Sequence, residues 1–155
     1  MDEARSIIGD APKRREDARF VTGGGRYLDD LTFDGVAHAV LLRSPHAHAQ
    51  ILAIDAAAAR MMPGVHAVLT GAEVAADGLN ALRPAAEANT QTGEPFAFEP
   101  QPLLAVGKVR YGGEPVALIV AETRNQALDA AERVNVNYAP LAAVTTAIAA
   151  QAEGA

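Results

Sequence analysis

The fold is decided by residues 115–138, which read PVALIVAETRNQALDAAERVNVNY. Pro115–Ala121 is a short apolar run opened by proline. It predicts a buried strand, because proline is tolerated at the first position of a strand. Thr123 and Gln126 stand three residues apart, which is the spacing of a capping box, where a hydroxyl and an amide satisfy free backbone N–H groups at a helix start. We expect this helix to run to about Arg133.

The same stretch predicts the buried face of the helix and the strand after it. Small apolar residues recur at three- and four-residue spacing and form one stripe: Ala127, Ala130, Ala131 and Val134. Apolar and polar residues then alternate from Val134 to Tyr138, which predicts a strand with one face in water. Pro140 should end that strand, and a last short helix is expected between Thr146 and Ala152.

Upstream of this stretch the elements are short and follow no regular strand–helix cycle. Val36–Leu42 is almost continuously apolar, as expected of a strand covered on both faces. Asp55 suits the N-cap of a short helix through Met62, which Pro63-Gly64 should stop. The other predicted pieces are strands at Ala49–Ile54 and Val65–Thr70, a helical turn at Ala72–Ala76, and ordered stretches at Leu103–Val106 and Val109–Tyr111. This arrangement indicates an α+β fold.

Asp77–Pro102 differs from the rest because it is rich in proline, glycine and small polar residues. A loop of this length inside a compact domain is uncommon, and such loops are often functional or mobile. Its apolar points are Leu79, Leu82, Phe96 and Phe98.

Composition limits the classes of function. The chain has 155 residues, the size of one domain. Its net charge of −6 argues against nucleic acid, which requires clustered Lys and Arg. The absence of cysteine excludes disulfides, zinc–thiolate sites and iron–sulfur ligation in this chain. No apolar run reaches membrane-spanning length and no signal-peptide pattern is present, so we expect a cytoplasmic protein without membrane contact.

Three motifs invite a ligand-site interpretation, and a structural explanation is favoured for each. Gly23–Gly25 lacks the third glycine and the flanking strand of a phosphate-binding fingerprint, so a turn is favoured. His46 and His48 stand two apart, as two metal ligands on one strand face would, but no third ligand has diagnostic spacing. Packed or hydrogen-bonded histidines are therefore favoured, and Asp29-Asp30 should bond backbone donors.

Glu114 is the carboxylate that we keep as a candidate. It lies between Gly113 and Pro115 at the mouth of a buried strand, where an acid is constrained. The favoured role is structural: pairing with Arg110 or accepting backbone N–H groups. Contact with substrate chemistry is the alternative.

Four segments agree in order and spacing with one known family. They are residues 14–30 (RREDARFVTGGGRYLDD), 42–49 (LRSPHAHA), 63–65 (PGV) and 109–117 (VRYGGEPVA). Together they resemble the amino-terminal a/b hammerhead domain of molybdenum hydroxylase large subunits. That family includes aldehyde oxidases, xanthine dehydrogenases and aerobic carbon monoxide dehydrogenases. Gly112 departs from the pattern, because the family usually has a bulky apolar residue there.

The resemblance implies an a/b hammerhead of mixed strands with two or three short helices packed on them. It divides the chain into an N-terminal arm (residues 1–18), the hammerhead (residues 19–150) and a C-terminal tail (residues 151–155). The tail would lead to molybdopterin-binding domains that are absent here, so a truncated or split subunit, or an excised domain, is expected.

The resemblance also implies one part of an oxidoreductase that hydroxylates aldehydes or heterocycles, or oxidises carbon monoxide. Molybdopterin would be bound by other domains of the same or a split subunit, and [2Fe–2S] clusters and FAD by partner subunits. This chain would hold no catalytic, cofactor-binding or metal-binding residue and would be inactive alone. Its expected role is to shape the substrate funnel, with Phe96, Phe98 and Glu114 as candidate lining residues. For Phe96 and Phe98 the favoured interpretation is that both rings pin the loop to the core of this domain, and funnel lining is the other one. The alternative is a free-standing protein- or ligand-binding module that kept the fold.

Overall fold

The protein is described by a computed structural model, which covers residue 9 and residues 14–79, 81–83, 93–94 and 100–153. Contacts divide the chain into two compact units, Met1–Val36 and Ala37–Ala155.

The described part of the first unit contains one short helix and one 3-10 turn. Helix α1 spans Asp17–Val21 and the turn spans Leu28–Asp30, and neither buries a residue. The rings of Phe20 and Tyr27 stack with their centroids 5.3 Å apart. The sequence did not indicate α1, because a single helical turn is too short to show apolar periodicity.

In its described part the second unit has six strands and three α-helices. The strands are β1 (His38–Arg43), β2 (Ala49–Asp55), β3 (Val65–Thr70), β4 (Lys108–Val109), β5 (Pro115–Ala121) and β6 (Asn135–Pro140). The helices are α2 (Ala57–Arg60), α3 (Gly71–Ala76) and α4 (Arg124–Ala131). The strands form two antiparallel sheets, ordered β1-β5-β3 and β4-β2-β6. The predicted α+β class is confirmed.

Strand β5 is the centre of the first sheet, which explains its unbroken apolar sequence. It pairs with β1 on one side and β3 on the other, and Val116, Ala117 and Ile119 are fully buried. Pro115 stands at its first position. The prediction of a buried strand opened by proline is confirmed, with the same bounds.

The prediction that the Val36–Leu42 strand is covered on both faces is wrong. The strand is β1, it starts at His38, and it forms one edge of its sheet. Val40 and Leu42 pack against the core, whereas His38, Ala39 and Leu41 are exposed. A run of alanine, valine and leucine does not distinguish a central strand from an edge strand. The number of strands that pair with it depends on segments that are far away in the sequence.

Helix α4 begins as the capping box predicts. The Gln126 backbone N–H donates to Thr123 Oγ1 at 3.2 Å, and the Thr123 N–H donates to Gln126 Oε1 at 3.0 Å. The predicted stripe is buried against the first sheet: Ala127, Ala130, Ala131 and Val134. The helix ends at Ala131, and β6 then alternates between exposed and half-buried residues as predicted.

Helix α2 is shorter than predicted. Asp55 ends β2, and its carboxylate accepts the Ala57 N–H at 3.0 Å, but the cap position itself is Ala56. The helix stops at Arg60, before Met62. The reason is local, because Pro63 disfavours helical backbone at the residue before it.

Among the described residues of the second unit, two apolar clusters form the core. The larger one lies where α2 and α4 cover the first sheet, and alanines at Ala59, Ala127 and Ala130 allow the elements to approach closely. The smaller one includes Ala49, Ala105, Val109 and Val116. At the start of α3, Gly71 packs directly on the backbone of Leu104 and Ala105.

The end of the described chain contains a 3-10 turn at Ala149–Gln151 in place of the predicted helix from Thr146 to Ala152. The Ala149 N–H donates to Thr146 Oγ1 at 3.1 Å, which supports only this one turn. In the described parts of the chain, none of the helices has the length and apolar character needed to cross a bilayer.

Candidate functional site: the junction between the two sheets

The two motifs that carry most of the family resemblance in the second unit lie side by side. Residues 44–48 connect β1 to β2, and residues 110–114 connect β4 to β5, so each connector passes from one sheet to the other. The Ser44 N–H donates to the Glu114 carbonyl at 2.9 Å, and the Gly113 N–H donates to the Ser44 carbonyl at 2.8 Å. Arg43 Nη1 donates to the Gly113 carbonyl at 2.8 Å. We call residues 43–48 and 110–115 the junction.

Ser44 is buried in the junction, with 3% of its surface exposed. Its hydroxyl accepts the His46 N–H at 3.0 Å and lies 3.0 Å from the His46 carbonyl, to which it donates. A serine that bonds the residue two positions on forms a local turn. The side chain therefore shapes the connector around Pro45.

Glu114 is the other buried polar residue, with 2% of its surface exposed. Its Oε2 accepts the backbone N–H of Arg110 at 2.5 Å, and its own N–H donates to the Tyr111 carbonyl at 3.2 Å. The carboxylate therefore closes the turn that leads into β5. Acceptance of a backbone N–H is one of the two structural contacts expected from the sequence.

The two histidines of the junction both contact the end of β6 or the chain beyond it. The His46 ring lies against the Tyr138 ring with centroids 4.9 Å apart, and His48 Nδ1 lies 2.6 Å from the Ala142 carbonyl oxygen. Among the described residues, no three His, Asp or Glu side chains converge as metal ligands would. Burial raises the pKa of Tyr138, and a hydrogen bond with Ser44 partly offsets this, so the phenol stays protonated at neutral pH.

The glycine-rich and acidic motifs of the first unit bond their own backbone. The N–H groups of Gly23 and Gly24 donate to the carbonyls of Phe20 and Arg19, which ends α1. Gly23 has a φ of +75°, a conformation that glycine adopts without strain. Asp30 Oδ2 accepts the Tyr27 N–H at 2.9 Å. The predicted turn and the predicted capping aspartate are confirmed.

Phe96 and Phe98 lie outside the described residues, but both ends of their segment are described. Leu82 and Gln101 exchange backbone hydrogen bonds of 2.8 and 3.1 Å in an antiparallel bridge. Gln101 Nε2 donates to the Tyr111 hydroxyl at 2.7 Å. The ends of the segment therefore meet, and one of them is attached to the junction. These contacts were not predicted from the sequence, because neither end of the bridge stands in a recognisable motif.

A second polar group that was not predicted from the sequence lies beside β3. Arg60 Nη2 donates to the Val68 carbonyl at 2.9 Å and to Glu73 Oε1 at 2.6 Å. Glu73 Oε2 also accepts the N–H and the hydroxyl of Thr70, each at 2.8 Å. The bonds between Thr70 and Glu73 could have been predicted from the sequence, because the two residues have the spacing of a capping box. Arg60 and Glu73, together with Val65 and His66, line an open hollow of about 300 Å³.

This group predicts a pH dependence of stability. The hydrogen bonds from Thr70, then the charge of Arg60, lower the pKa of Glu73. A carboxyl whose pKa is lower in the folded state stabilises the fold above its unfolded pKa and loses that contribution as pH falls through the folded pKa. We expect Glu73→Gln to reduce the free energy of unfolding at pH 7 by less than about 1 kcal/mol, because the ion pair is largely exposed.

Urea unfolding of the full chain at pH 7 and at about pH 3 checks this, with exposed Glu132→Gln as the matched control. The gap between the Glu73→Gln and wild-type curves should shrink at the lower pH, because protonation of Glu73 removes the charge that distinguishes the two side chains. A gap of equal size at both pH values would refute the assignment of the effect to the carboxylate charge.

Residues 22–142 match the family described as "Aldehyde oxidase and xanthine dehydrogenase, a/b hammerhead domain". The chain is 45% identical over 142 residues to the nicotine 6-hydroxylase large subunit of Paenarthrobacter nicotinovorans, covering 90% of this chain and 16% of that subunit. It is 40% identical to the carbon monoxide dehydrogenase large chain of Afipia carboxidovorans, covering 86% of this chain and 15% of that one.

Solved structures give the same result. Quinoline 2-oxidoreductase from Pseudomonas putida 86 superposes with a TM-score of 0.82 and 45% identity, covering 97% of this chain and 18% of that chain. The chain thus spans about a sixth of the length of these relatives. It belongs to the aldehyde oxidase and xanthine dehydrogenase a/b hammerhead family.

Proposed function

We propose that this chain is the hammerhead part of a molybdenum hydroxylase large subunit and that it serves as a scaffold without a reaction centre of its own. One observation carries the proposal. The two buried polar side chains of the junction, Ser44 and Glu114, are hydrogen-bonded to backbone groups of the same junction, and Ser44 also to Tyr138. The motif residues therefore shape connectors, and their polar atoms are not directed at a ligand.

The relatives support the proposal that this chain is part of an enzyme. Their names are those of large subunits or large chains, and this chain matches about a sixth of each. We propose that the complete enzyme hydroxylates an aldehyde or heterocycle, or oxidises carbon monoxide, and that the remaining five-sixths supplies the chemistry. We place it in the cytoplasm, because a chain without cysteine suits a reducing compartment.

The proposed complete enzyme holds molybdopterin, [2Fe–2S] clusters and FAD. The residues of this chain do not form a ligand set for any of these groups. Iron–sulfur clusters are held by cysteine thiolates, and the chain has no cysteine. The junction does not fit a pterin either, because its buried polar atoms are already paired with backbone. We therefore assign these groups to molybdopterin-binding domains of the same or a split subunit, and to FAD and iron–sulfur subunits.

We further propose that the segment from Asp77 to Pro102 borders the substrate funnel of the complete enzyme, with Phe96 and Phe98 as lining residues. The described ends of the segment support this, because the antiparallel bridge between Leu82 and Gln101 brings them together. We do not propose Glu114 as a lining residue, because its carboxylate is buried and accepts the backbone N–H of Arg110.

The first experiment is purification of the protein from its source through a tag on the chromosomal gene, with measurement of polypeptide mass, molybdenum, iron and flavin. We expect a polypeptide several times heavier than 16.1 kDa, or a complex that contains molybdenum, iron and flavin. A free 16.1 kDa chain without molybdenum would instead favour a free-standing binding module.

The funnel proposal has its own test in the complete enzyme. Phe96→Ala with Phe98→Ala should change the preference between a small and a bulky substrate, mainly through KM, because lining residues contact the substrate before the reaction. Phe33→Ala is the matched control, since Phe33 is exposed and lies outside the segment. An unchanged KM and preference in the double variant would end the funnel proposal.

A further inference from the structure

In the described part of the domain, the chain that leaves β6 makes two hydrogen bonds with His48. The Leu141 N–H donates to the His48 carbonyl at 3.0 Å, and His48 Nδ1 lies 2.6 Å from the Ala142 carbonyl oxygen. A carbonyl oxygen only accepts hydrogen bonds, so Nδ1 must carry the proton in this contact. Both bonds fall on the first two residues after the strand.

Residues 141–145 have no helix or strand of their own. Within the described part of the domain, these five residues make two hydrogen bonds, both with His48. Leu141 donates one and Ala142 accepts the other. None of residues 141–145 is buried, so none of them anchors the segment in the core. The direction of the chain after β6 therefore depends on His48 more than on packing.

The rest of the connector makes His48 a fixed support. Ser44 closes the turn at His46, and the His46 ring packs on Tyr138 within β6. Ala49, the next residue after His48, is fully buried and begins β2 opposite Pro140. A side chain on such a constrained backbone can set the path of a loosely held segment.

We propose that His48 is a positioning residue that sets the direction in which the chain leaves β6. Only the last step rests on the proposed function: in a large subunit, that direction orients the next domain. The hydrogen bond also gives the second histidine of the Ser-Pro-His-Ala-His motif a specific task, which is distinct from the ring packing of His46.

The first measurement is the tautomer of His48 in the full chain, from ¹⁵N shifts at about pH 8.5, above the usual pKa of histidine. We expect the proton on Nδ1, whereas a neutral exposed imidazole without this bond favours the proton on Nε2. His38, which is exposed at the start of β1, is the internal reference. A proton on Nε2 of His48 would overturn the proposal.

The second measurement is amide hydrogen exchange of Leu141 in three variants. His48→Ala should speed exchange by about fivefold, the factor that corresponds to one hydrogen bond of ordinary strength. His48→Asn should stay within about twofold of wild type, because its side-chain N–H can reach the same carbonyl. His38→Ala controls for removal of an imidazole and should change nothing.

Either of two results would overturn the proposal. In the first, Leu141 exchanges in His48→Ala at the wild-type rate. In the second, it exchanges in His48→Asn as fast as in His48→Ala. In the second case the imidazole volume, and not its hydrogen bond, would hold the segment. These results are independent of the proposed function, since purification of a free 16.1 kDa chain would end that function and leave the His48 result standing.

Discussion

Replacement of Gly71 by alanine is expected to reduce the free energy of unfolding of the chain by about 3 kcal/mol, at the upper end of the usual range for overpacking. A Cβ at this position would overlap the Ala105 carbonyl oxygen and lie 2.8 Å from the Leu104 carbonyl oxygen. Both obstacles are backbone atoms, so they cannot turn away as a side chain would. Relief requires α3 to move away from residues 104–105 in the core.

The matched control is Gly112→Ala. No atom lies within 4 Å of a Cβ built on Gly112, and its backbone is not in the left-handed region. Alanine there should leave stability unchanged or raise it by about 0.4–1 kcal/mol, through the lower entropy of the unfolded chain. Urea unfolding measures both variants. Equal stability of Gly71→Ala and Gly112→Ala would contradict the close approach of Gly71 to residues 104–105.

Replacement of Glu114 by alanine is expected to reduce the free energy of unfolding by about 2–3 kcal/mol, because a hydrogen bond to a carboxylate contributes about 1.5–3 kcal/mol. The carboxylate is buried and accepts the Arg110 N–H at 2.5 Å, so its loss also opens a cavity at the start of β5. Glu114→Gln keeps an acceptor of the same size, so it should cost clearly less.

The matched control for Glu114 is Glu122→Ala. Glu122 stands at the other end of β5, is exposed, and has no described side-chain partner. Surface changes of this kind fall within about 0.5 kcal/mol. If Glu114→Ala were as stable as Glu122→Ala by urea unfolding, the buried carboxylate would not be what stabilises the turn that leads into β5. The same variant in the complete enzyme separates loss of fold from loss of turnover.

Contacts that are close in sequence could be predicted from the sequence. The capping box of Thr123 and Gln126 spans three residues, and the alanine stripe of α4 spans two turns, so both are visible as spacing. The bounds of β3 and β5 were also correct, because glycine and proline or a change of polarity stands at their ends. The turn at Ser44 is equally local, because Ser44 and His46, which form it, both lie in the motif at residues 42–49.

The edge position of β1 could not be predicted in this way. Its apolar run suits a central strand, but an edge or a central position depends on which strands pair with it, and β5, which pairs with it, lies about 70 residues further along the chain. The same distance separates Ser44 from Glu114, whose backbones bond at 2.9 Å. Nothing in either motif indicates the other as its partner.

Sequence alone therefore established the class of fold, the central strand with its helix, and the family, because each depends on local spacing or on motifs read in order. The three-dimensional arrangement alone established which strands share a sheet, which histidine contacts the Ala142 carbonyl after β6, and that Glu114 closes a turn. The physical reason is that pairing and burial are set by contacts between distant segments. Their energies depend on which surfaces meet, and the order of residues along one segment does not contain that information.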